Sequence, residues 1–378
     1  MSVYLDYNAS TPIDSRVLDV MMDVYKNNYG NADSRTHNFG ESARQIVENS
    51  RGNVAELLGI KKDEVFFTSG ATESDNIVLL GLKEYAEKTG KKHIITTSIE
   101  HKAVLEPCNK LAEQGFEITF ISPDESGRIN PEELLEKVKD DTLLVSVMHA
   151  NNETGVIQPV KEIGEALSEE GVYFHIDAAQ SCGKLVDELR DVKYDMLSAS
   201  AHKMYGPQGI GIMVLRKKRF KLPPVKSITF GGGQEHGLRP GTLPTALIAG
   251  MGEACKIASM EYKTNLDKYN ANKNMILNGL EASGASYSIN GSLKYSMPNT
   301  INISFEGVNS EALMLASRQF CGYSNGSACN SHSYRPSHVL TAMGLNIDTI
   351  QSAVRISWGI EDISDSFKLI IDTAKSLM

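Results

Sequence analysis

From about residue 16 to residue 215, short apolar runs alternate with amphipathic helical stretches, and this alternation constrains the fold more than any other feature. Gly59, Gly90, Gly115 and Gly171 stand where the intervening helices should end. The pattern predicts an α/β fold, a mostly parallel seven-stranded sheet with helices on both faces. The predicted strands are Val65–Thr68, His93–Thr97, Glu117–Ile121, Leu143–Met148, Tyr173–Asp177, Met196–Ser200 and Ile210–Leu215.

The alternation stops at a basic, proline-containing stretch over residues 216–226 and at Gly231-Gly232-Gly233, and a long helical region begins near Leu243. The tail mixes predicted strands (Thr300–Phe305, Ala353–Ser357) with predicted helices (Ser310–Phe320, Asp362–Leu377), as in a smaller α+β layer. We therefore predict an N-terminal arm (1–15) that packs on a small domain (255–378), and a large domain (16–254).

Composition and charge exclude several classes of protein. The formal charge of −9 over 378 residues has no long run of one sign, so we expect no direct nucleic-acid binding, and small molecules or proteins as partners. The longest apolar runs have strand length, far below the roughly 20 residues of a membrane-spanning helix. The N-terminus lacks the pattern of a secretion signal, which predicts a cytoplasmic protein. Five cysteines without a Cys-x-x-Cys pair predict free thiols.

Polar residues directly after the predicted strands indicate where a ligand binds. In an open parallel sheet, ligands bind beyond the carboxyl ends of the strands, so these residues should converge on one site. They are Ser69 to Glu73, Glu100 to Lys102, Asn151 to Gly155, Asp177 to Gln180, and His202 with Lys203.

Lys203 follows a buried strand and stands between a histidine and a glycine turn, in Ser200-Ala201-His202-Lys203-Met204-Tyr205-Gly206-Pro207. Such a lysine is typical of a covalent anchor for an aldehyde, although a surface lysine in a loop is equally compatible with those eight residues. The turn Gly70-Ala71-Thr72 opens a helix, where small residues expose backbone N–H groups to a phosphate. An ordinary N-cap threonine is the alternative for Thr72.

An aldehyde anchor, a phosphate site and a carboxylate at a strand end together indicate pyridoxal phosphate, whose ring nitrogen needs an anionic partner. Asp177 fits this carboxylate, with a simple helix cap as the alternative, and Gln180 is placed to bond the ring hydroxyl. His101 is placed to stack on the ring and to move protons, although a lone histidine is more often structural.

The ordered motifs of the whole chain resemble those of cysteine desulfurases, within the class V aminotransferase group of fold-type I pyridoxal-phosphate enzymes. The motifs are Tyr4 to Ala9, Phe67 to Ser74, Glu100-His101, His149 to Glu153, His175 to Ser181, His202-Lys203, Arg239 to Pro244 and Gly326-Ser327-Ala328-Cys329.

The resemblance implies a role for each matching residue. Lys203 binds the cofactor aldehyde, His101 stacks on the ring, Asp177 pairs with the ring nitrogen, and Gln180 bonds the ring oxygen. Ala71, Thr72, Ser200 and His202 belong to the phosphate site, and Thr242 reaches it from the partner subunit of a homodimer. Asn152 contributes to cofactor and substrate binding, and Arg355 binds the substrate carboxylate, although an ion pair is the alternative for any single arginine.

Cys329 is the nucleophile that the resemblance implies, in a predicted loop over about residues 322–336 that is small, polar and without apolar periodicity. The Cys-x-x-His spacing with His332, and His338 beyond, also suggests a metal site or a Cys–His hydrolase pair. A structural zinc site needs four ligands, and no second pair stands nearby in the sequence, so we predict no metal.

The implied reaction converts L-cysteine to L-alanine and leaves the sulfur on Cys329 as a persulfide, for donation to an acceptor protein. Selenocysteine lyase, or another class V lyase or aminotransferase, is the alternative with the same cofactor. The third hypothesis is a binding protein that has the same fold but no catalytic activity. The sequence disfavours it because the catalytic set is complete, with Lys203, His101, Asp177 and Cys329 all present.

The acceptor is left open among iron–sulfur assembly, tRNA thiolation and DNA phosphorothioation. Pro240, Asn325 and Asn330 depart from the usual pattern of the family, in loop details that leave the implied chemistry intact. The unusual stretches Asn31 to Arg35 and Ser324-Asn325 favour a specialised branch. The chain stops at Met378, without the longer tail expected of iron–sulfur-assembly members, so an iron–sulfur role is not the first expectation.

Overall fold

The computed structural model of the protein describes residues 2–325 and 336–378. The strands are β1 (Val3–Tyr4), β2 (Val65–Thr68), β3 (His93–Thr97), β4 (Glu117–Ile121), β5 (Thr142–Met148), β6 (Tyr173–Asp177), β7 (Met196–Ser200), β8 (Gly211–Leu215), β9 (Tyr287–Ile289), β10 (Thr300–Phe305), β11 (Cys321–Gly322) and β12 (Ala353–Ser357). The helices are α1 (Ser15–Asn27), α2 (Asn38–Leu58), α3 (Ala71–Gly81), α4 (Lys83–Thr89), α5 (Lys102–Ala112), α6 (Pro131–Glu136), α7 (Val160–Leu167), α8 (Val186–Asp191), α9 (Thr245–Ser283), α10 (Ser310–Ser317), α11 (His338–Ala342), α12 (Ile347–Ser352) and α13 (Ser364–Leu377).

The large sheet contains the seven predicted strands, in the order β2-β8-β7-β6-β5-β3-β4. β8 is antiparallel to both of its neighbours, and the other pairs are parallel. The strands are almost entirely buried apart from β4 at one edge, because helices cover both faces. The predicted fold class is confirmed.

A second layer is built on the three-stranded antiparallel sheet β12-β10-β9. The helix predicted over Ser310–Phe320 ends earlier, at Ser317. The carbonyl of Phe320 instead accepts a hydrogen bond from the Val3 N–H, because the chain here leaves the helix to pair with the N-terminus. β1 and β11 form a parallel ribbon at this point, and Leu5 is fully buried in the core of the second layer.

Helix α9 is continuous across the predicted domain boundary at residues 254 and 255. Its first half packs Ile248 and Met251 into the core of the large sheet, and its second half packs Ile276 and Leu280 into the core of the second layer. The helix thus belongs to both cores. The division into an arm and two domains remains a prediction. Within the described ranges, no helix has the length and apolar character needed to cross a bilayer.

Candidate active site

A cavity of about 520 Å³ lies where the carboxyl ends of the parallel strands meet the second layer. Such a crevice is the expected ligand site of an open α/β sheet. Most of the predicted site residues line it, namely Ala71, Thr72, His101, Asn152, Asp177, Gln180, Ser200, His202, Lys203 and Arg355. The cavity thus brings together residues from both layers.

Lys203 extends into the cavity from the short turn after β7, and carbonyl groups of the N-terminal segment hold its amine. The Nζ atom donates hydrogen bonds to the carbonyl oxygens of Asn8 and Ala9, the second at 2.8 Å. Burial, and then the positive charge of Arg355, lower the pKa of Lys203 to about 8. About a tenth of the amine is therefore neutral at pH 7, far more than for a free lysine, and the neutral form is the one that attacks an aldehyde.

Asp177 ends strand β6 as a buried carboxylate at the cavity wall. Its Oδ1 accepts a hydrogen bond from the Ala179 N–H at 2.8 Å, so it also acts as a local cap. Burial raises the pKa of Asp177, and the Ala179 N–H, His101 in its protonated form and the Lys203 ammonium oppose that rise. A further cation beside this carboxyl, such as a protonated ring nitrogen, stabilises its charged form.

His101 is the N-cap residue of helix α5 and has a defined tautomer when it is neutral. Its Nδ1 accepts a hydrogen bond from the Ala103 N–H at 3.1 Å, so the proton of the neutral ring lies on Nε2. Burial lowers the pKa of His101, although the charge of Asp177 opposes this shift. The ring is therefore mainly neutral and offers Nε2–H to the cavity.

The predicted phosphate site is the turn between β2 and α3. Gly70 is the N-cap residue and Thr72 the second helical residue, which excludes the alternative that Thr72 is the cap. The first turn of a helix leaves N–H groups free for an anion. Ser200 and His202 face the same cavity, and burial, with Lys203 and Lys184, lowers the pKa of His202 to about 4. His202 is thus a neutral hydrogen-bonding group.

Arg355 on β12 brings a guanidinium from the second layer to the cavity. Its Nη2 pairs with Asp6 Oδ1 at 2.6 Å and its Nη1 donates to the Asn152 carbonyl at 3.0 Å, so an ion pair is part of its role. The Nε atom is buried and has no hydrogen-bond partner among residues 2–325 and 336–378. A donor of this kind suits a carboxylate ligand.

The residues present fit pyridoxal phosphate. Gln180 donates through Nε2 to the Asn8 carbonyl at 3.0 Å, while its buried Oε1 finds no partner in the described part of the chain. A buried amide oxygen without a partner is costly, and a ring hydroxyl of the cofactor can satisfy it. Together with Lys203, Asp177 and the helix start at Thr72, the cavity offers a partner to each polar group of the cofactor.

Two predicted site residues are not part of this cavity as described. Thr242 lies before α9 and does not line it, and Cys329 lies outside the described residues. Reasoning from strand ends missed several residues that the structure places at the site, among them Asp75, Gln208 and three residues near the N-terminus. Asp6, Asn8 and Ala9 precede the first helix, and the only signal was their place in the Tyr4-to-Ala9 motif.

Comparison with known proteins identifies the family. A model described as aminotransferase class-V matches residues 3–365. A Histophilus somni (strain 2336) protein described as cysteine desulfurase IscS is 44% identical over 384 aligned residues, which cover 100% of this chain and 94% of that protein. The chain belongs to the class-V aminotransferase family. Within it, the protein is a cysteine desulfurase that depends on pyridoxal phosphate.

Solved structures agree with this assignment. A NifS-like protein superposes with a TM-score of 0.91 at 37% identity, over 100% of this chain and 99% of that one. DndA from Streptomyces lividans superposes with a TM-score of 0.82 at 44% identity, over 94% of this chain and 99% of that one. SspA, solved in complex with cysteine, superposes with a TM-score of 0.83 at 36% identity, over 96% of this chain and 100% of that one. The fold is that of fold-type I pyridoxal-phosphate enzymes.

Proposed function

We propose that the protein converts L-cysteine to L-alanine, places the sulfur on Cys329 as a persulfide, and passes it to an acceptor protein. One observation carries the proposal: an amine of lowered pKa, Lys203, and a guanidinium with a buried unsatisfied donor, Arg355, face the same cavity. The amine suits the cofactor aldehyde, and the guanidinium suits the carboxylate of an amino acid.

The ends of the stretch that contains Cys329 support its role as the nucleophile. Arg355 exchanges two backbone hydrogen bonds with Ser324, just before residue 326. After residue 335, the Ser337 hydroxyl donates to the Glu153 carboxylate, and His338 Nε2 bonds the Glu100 carbonyl at 3.0 Å. The chain thus enters and leaves the stretch beside the cavity.

The proposed reaction divides the work among few groups. Bound pyridoxal phosphate supplies an electron sink that allows the substrate Cα–H bond to break. Arg355 orients the substrate carboxylate, and Lys203 accepts and returns the Cα proton. His101 offers its Nε2–H to the reacting atoms as a hydrogen-bond donor. The Cys329 thiolate attacks the substrate sulfur, and the C–S bond breaks. The electron pair and a proton go to carbon, giving alanine and the Cys329 persulfide.

We also propose a homodimer in which Thr242 completes the phosphate site of the partner subunit. Large apolar side chains exposed on the single chain favour a second copy, among them Tyr25, Tyr29, Phe39 and Phe230. Mixing inactive Lys203→Ala and Thr242→Ala proteins tests this arrangement. Heterodimers contain one complete site, so activity should return on subunit exchange. Mixtures that stay inactive while heterodimers form contradict it.

The acceptor defines the pathway. Relatives described as IscS and as DndA are each 44% identical to this chain, so identity favours neither. Iron–sulfur assembly, tRNA thiolation and DNA phosphorothioation each require an acceptor protein in our proposal. Enzyme loaded with sulfur-labelled cysteine and then added to a cell extract should transfer label to one protein, whose identity separates the three.

The desulfurase step itself is tested by the products. With L-cysteine and a thiol reductant, the enzyme should release alanine and sulfide in equal amounts, and without reductant it should carry one labelled sulfur per active site. Cys329→Ser should keep the absorbance of the bound cofactor and lose the label. Full alanine release by Cys329→Ser rules out the persulfide route and favours a lyase without a protein nucleophile.

A further inference from the structure

Residues 231–243, in the connection from the large sheet to α9, contain a strained turn that a buried ion pair fixes. Glu235 and His236 both have positive φ angles, 46° and 55°, which are unfavourable for residues other than glycine. Arg51 binds the Glu235 carboxylate through both terminal nitrogens, at 2.9 and 2.7 Å. The Glu235 side chain is only 1% exposed, so the pair is held inside the protein.

The Glu235 carboxylate also attaches this segment to the strand that leads into the phosphate-binding turn. Its Oε2 accepts a hydrogen bond from the Phe67 N–H at 2.8 Å, and Phe67 lies in β2 at the edge of the large sheet. The Arg51 guanidinium lies 4.8 Å from the centre of the Phe67 ring. The segment is therefore fixed three residues before Gly70.

A second attachment reaches the other side of the same turn. Arg239 Nε donates to the Glu73 carboxylate at 3.1 Å, and Glu73 is the third residue of α3. Glu73 Oε2 accepts in turn from the Ser69 N–H, so the carboxylate closes the turn over Ser69 to Glu73. The turn is thus held from β2 by Glu235 and from α3 by Arg239.

We propose that Arg239 is a positioning residue for the phosphate-binding turn, that it acts through Glu73, and that the Arg51–Glu235 ion pair holds it in place. The inference rests on the proposed function, in which this turn binds the cofactor phosphate. Thr242 lies on the same segment. Fixing the segment therefore also fixes the residue that the proposed homodimer sends to the other site.

Electrostatics gives the reason for an arginine at this position. Glu73 lines the cavity beside the helix start, where its charge repels a phosphate dianion. Burial favours the neutral form, but the Ser69 N–H and Arg239 outweigh it and keep the pKa of Glu73 below its usual value. Glu73 therefore stays charged and holds Ser69, and Arg239 compensates the charge that would otherwise oppose the phosphate.

The test compares pyridoxal phosphate with pyridoxal, which lacks the phosphate. Apoprotein is titrated with each aldehyde, and binding is followed by the visible absorbance of the lysine-bound form. Arg239→Gln should lower the affinity for pyridoxal phosphate about tenfold, which is the scale of one charge-assisted interaction. The affinity for pyridoxal should change less than about twofold. Adding Glu73→Gln to this variant should recover part of the lost affinity, because the uncompensated charge is then removed.

Glu261→Gln is the matched control, since Glu261 pairs with Arg16 on the surface outside this cavity. It should leave both affinities unchanged. Thermal unfolding of each apoprotein checks folding. If the glutamine variant does not fold, Arg239→Met, which also removes the charge, replaces it with the same expected result. Equal weakening of both aldehydes, or unchanged binding of pyridoxal phosphate, overturns the proposal. Neither result bears on alanine release by the wild-type enzyme, which tests the proposed function separately.

Discussion

Lys203 and Asp177 face one cavity with pKa shifts in opposite directions, and burial is the main cause of both. Burial disfavours charge on either group, while each partly stabilises the charge of the other. Asp177 accepts one backbone N–H, and its pKa is still raised, so its charged form is not fully compensated by the protein. A cation that binds beside it is therefore stabilised. The cofactor ring nitrogen is such a cation when protonated. Its binding should therefore lower the pKa of Asp177.

The pKa of Lys203 predicts how fast the apoprotein captures the cofactor at different pH values. The folded-state pKa of about 8 lies below that of free lysine, so the neutral amine gains population as pH rises through 8. The neutral fraction is about a tenth at pH 7 and about nine-tenths at pH 9. Stopped-flow mixing with pyridoxal phosphate should show a rate that rises roughly tenfold over this range and then levels off.

Free Nα-acetyl-lysine is the control for this experiment, because its rate should keep rising to about pH 10. If the rate of cofactor capture by the protein also keeps rising to about pH 10, the cavity does not lower the pKa of Lys203. Lys203→Ala shows any contribution from other lysines.

The chemical identity of the site residues was accessible from sequence, but their partners were not. Asp177 ends a predicted strand, and His101 and Lys203 each come shortly after one, so the rule for open sheets brings the three together. The acceptors of the Lys203 amine are the backbone carbonyls of Asn8 and Ala9, almost two hundred residues earlier. The direction of a carbonyl depends on tertiary packing and not on residue type, so no local pattern reports it.

At the scale of elements, β8 is the exception that shapes the phosphate site. It runs antiparallel between β2 and β7, and its first residue, Gly211, lies against the phosphate-binding turn. A Cβ atom at Gly211 would lie 2.6 Å from both the Ala199 carbonyl oxygen and Gly70 Cα. Only glycine allows the strand and the turn to approach this closely.

Gly211→Ala should therefore disturb the turn and the sheet together. Overpacking of this kind typically costs about 1–3 kcal/mol of folding free energy, and a displaced turn also weakens cofactor binding. Denaturant unfolding of the apoprotein measures the first effect and titration with pyridoxal phosphate the second. Gly322→Ala is the control, since its φ is ordinary and a Cβ atom added there would meet no atom of the described residues within 4 Å. Equal results for the two variants contradict the packing argument.

The strands of the large sheet, with β10 and β12, were predicted well because each is a short apolar run with turn residues at its ends. The two- and three-residue strands β1, β9 and β11 were not predicted, because so short a segment shows no period. The extent of α9 was not predicted either. Basic residues, prolines and glycines before Leu243 indicate a break, but nothing in the pattern shows that one helix continues from Thr245 to Ser283. Its early residues pack against the large sheet and its later residues against the second layer, and this change of partner leaves the helical period intact.

At the scale of the whole molecule, the N-terminal segment joins the second layer to the active site. Its backbone pairs with β11, and the Leu5 carbonyl accepts from the Ser357 N–H at 2.9 Å at the end of β12. Asp6, Asn8 and Ala9 follow directly and bind Arg355 and Lys203. The position of both charged groups thus depends on a segment whose largest fully buried side chain is Leu5.

Leu5→Ala should show this dependence. Leu5 is 0% exposed in a core that includes Trp358, and truncation of a buried leucine costs about 2–5 kcal/mol. Calorimetry of the apoprotein should show a lower unfolding temperature, and the KM for L-cysteine should rise as Arg355 loses its fixed partner Asp6. Ile13→Ala, at a side chain that is 41% exposed, should change stability by no more than about 0.5 kcal/mol and leave KM unchanged. If Leu5→Ala lowers stability while KM stays the same, the segment supports the fold but does not position the substrate-binding arginine.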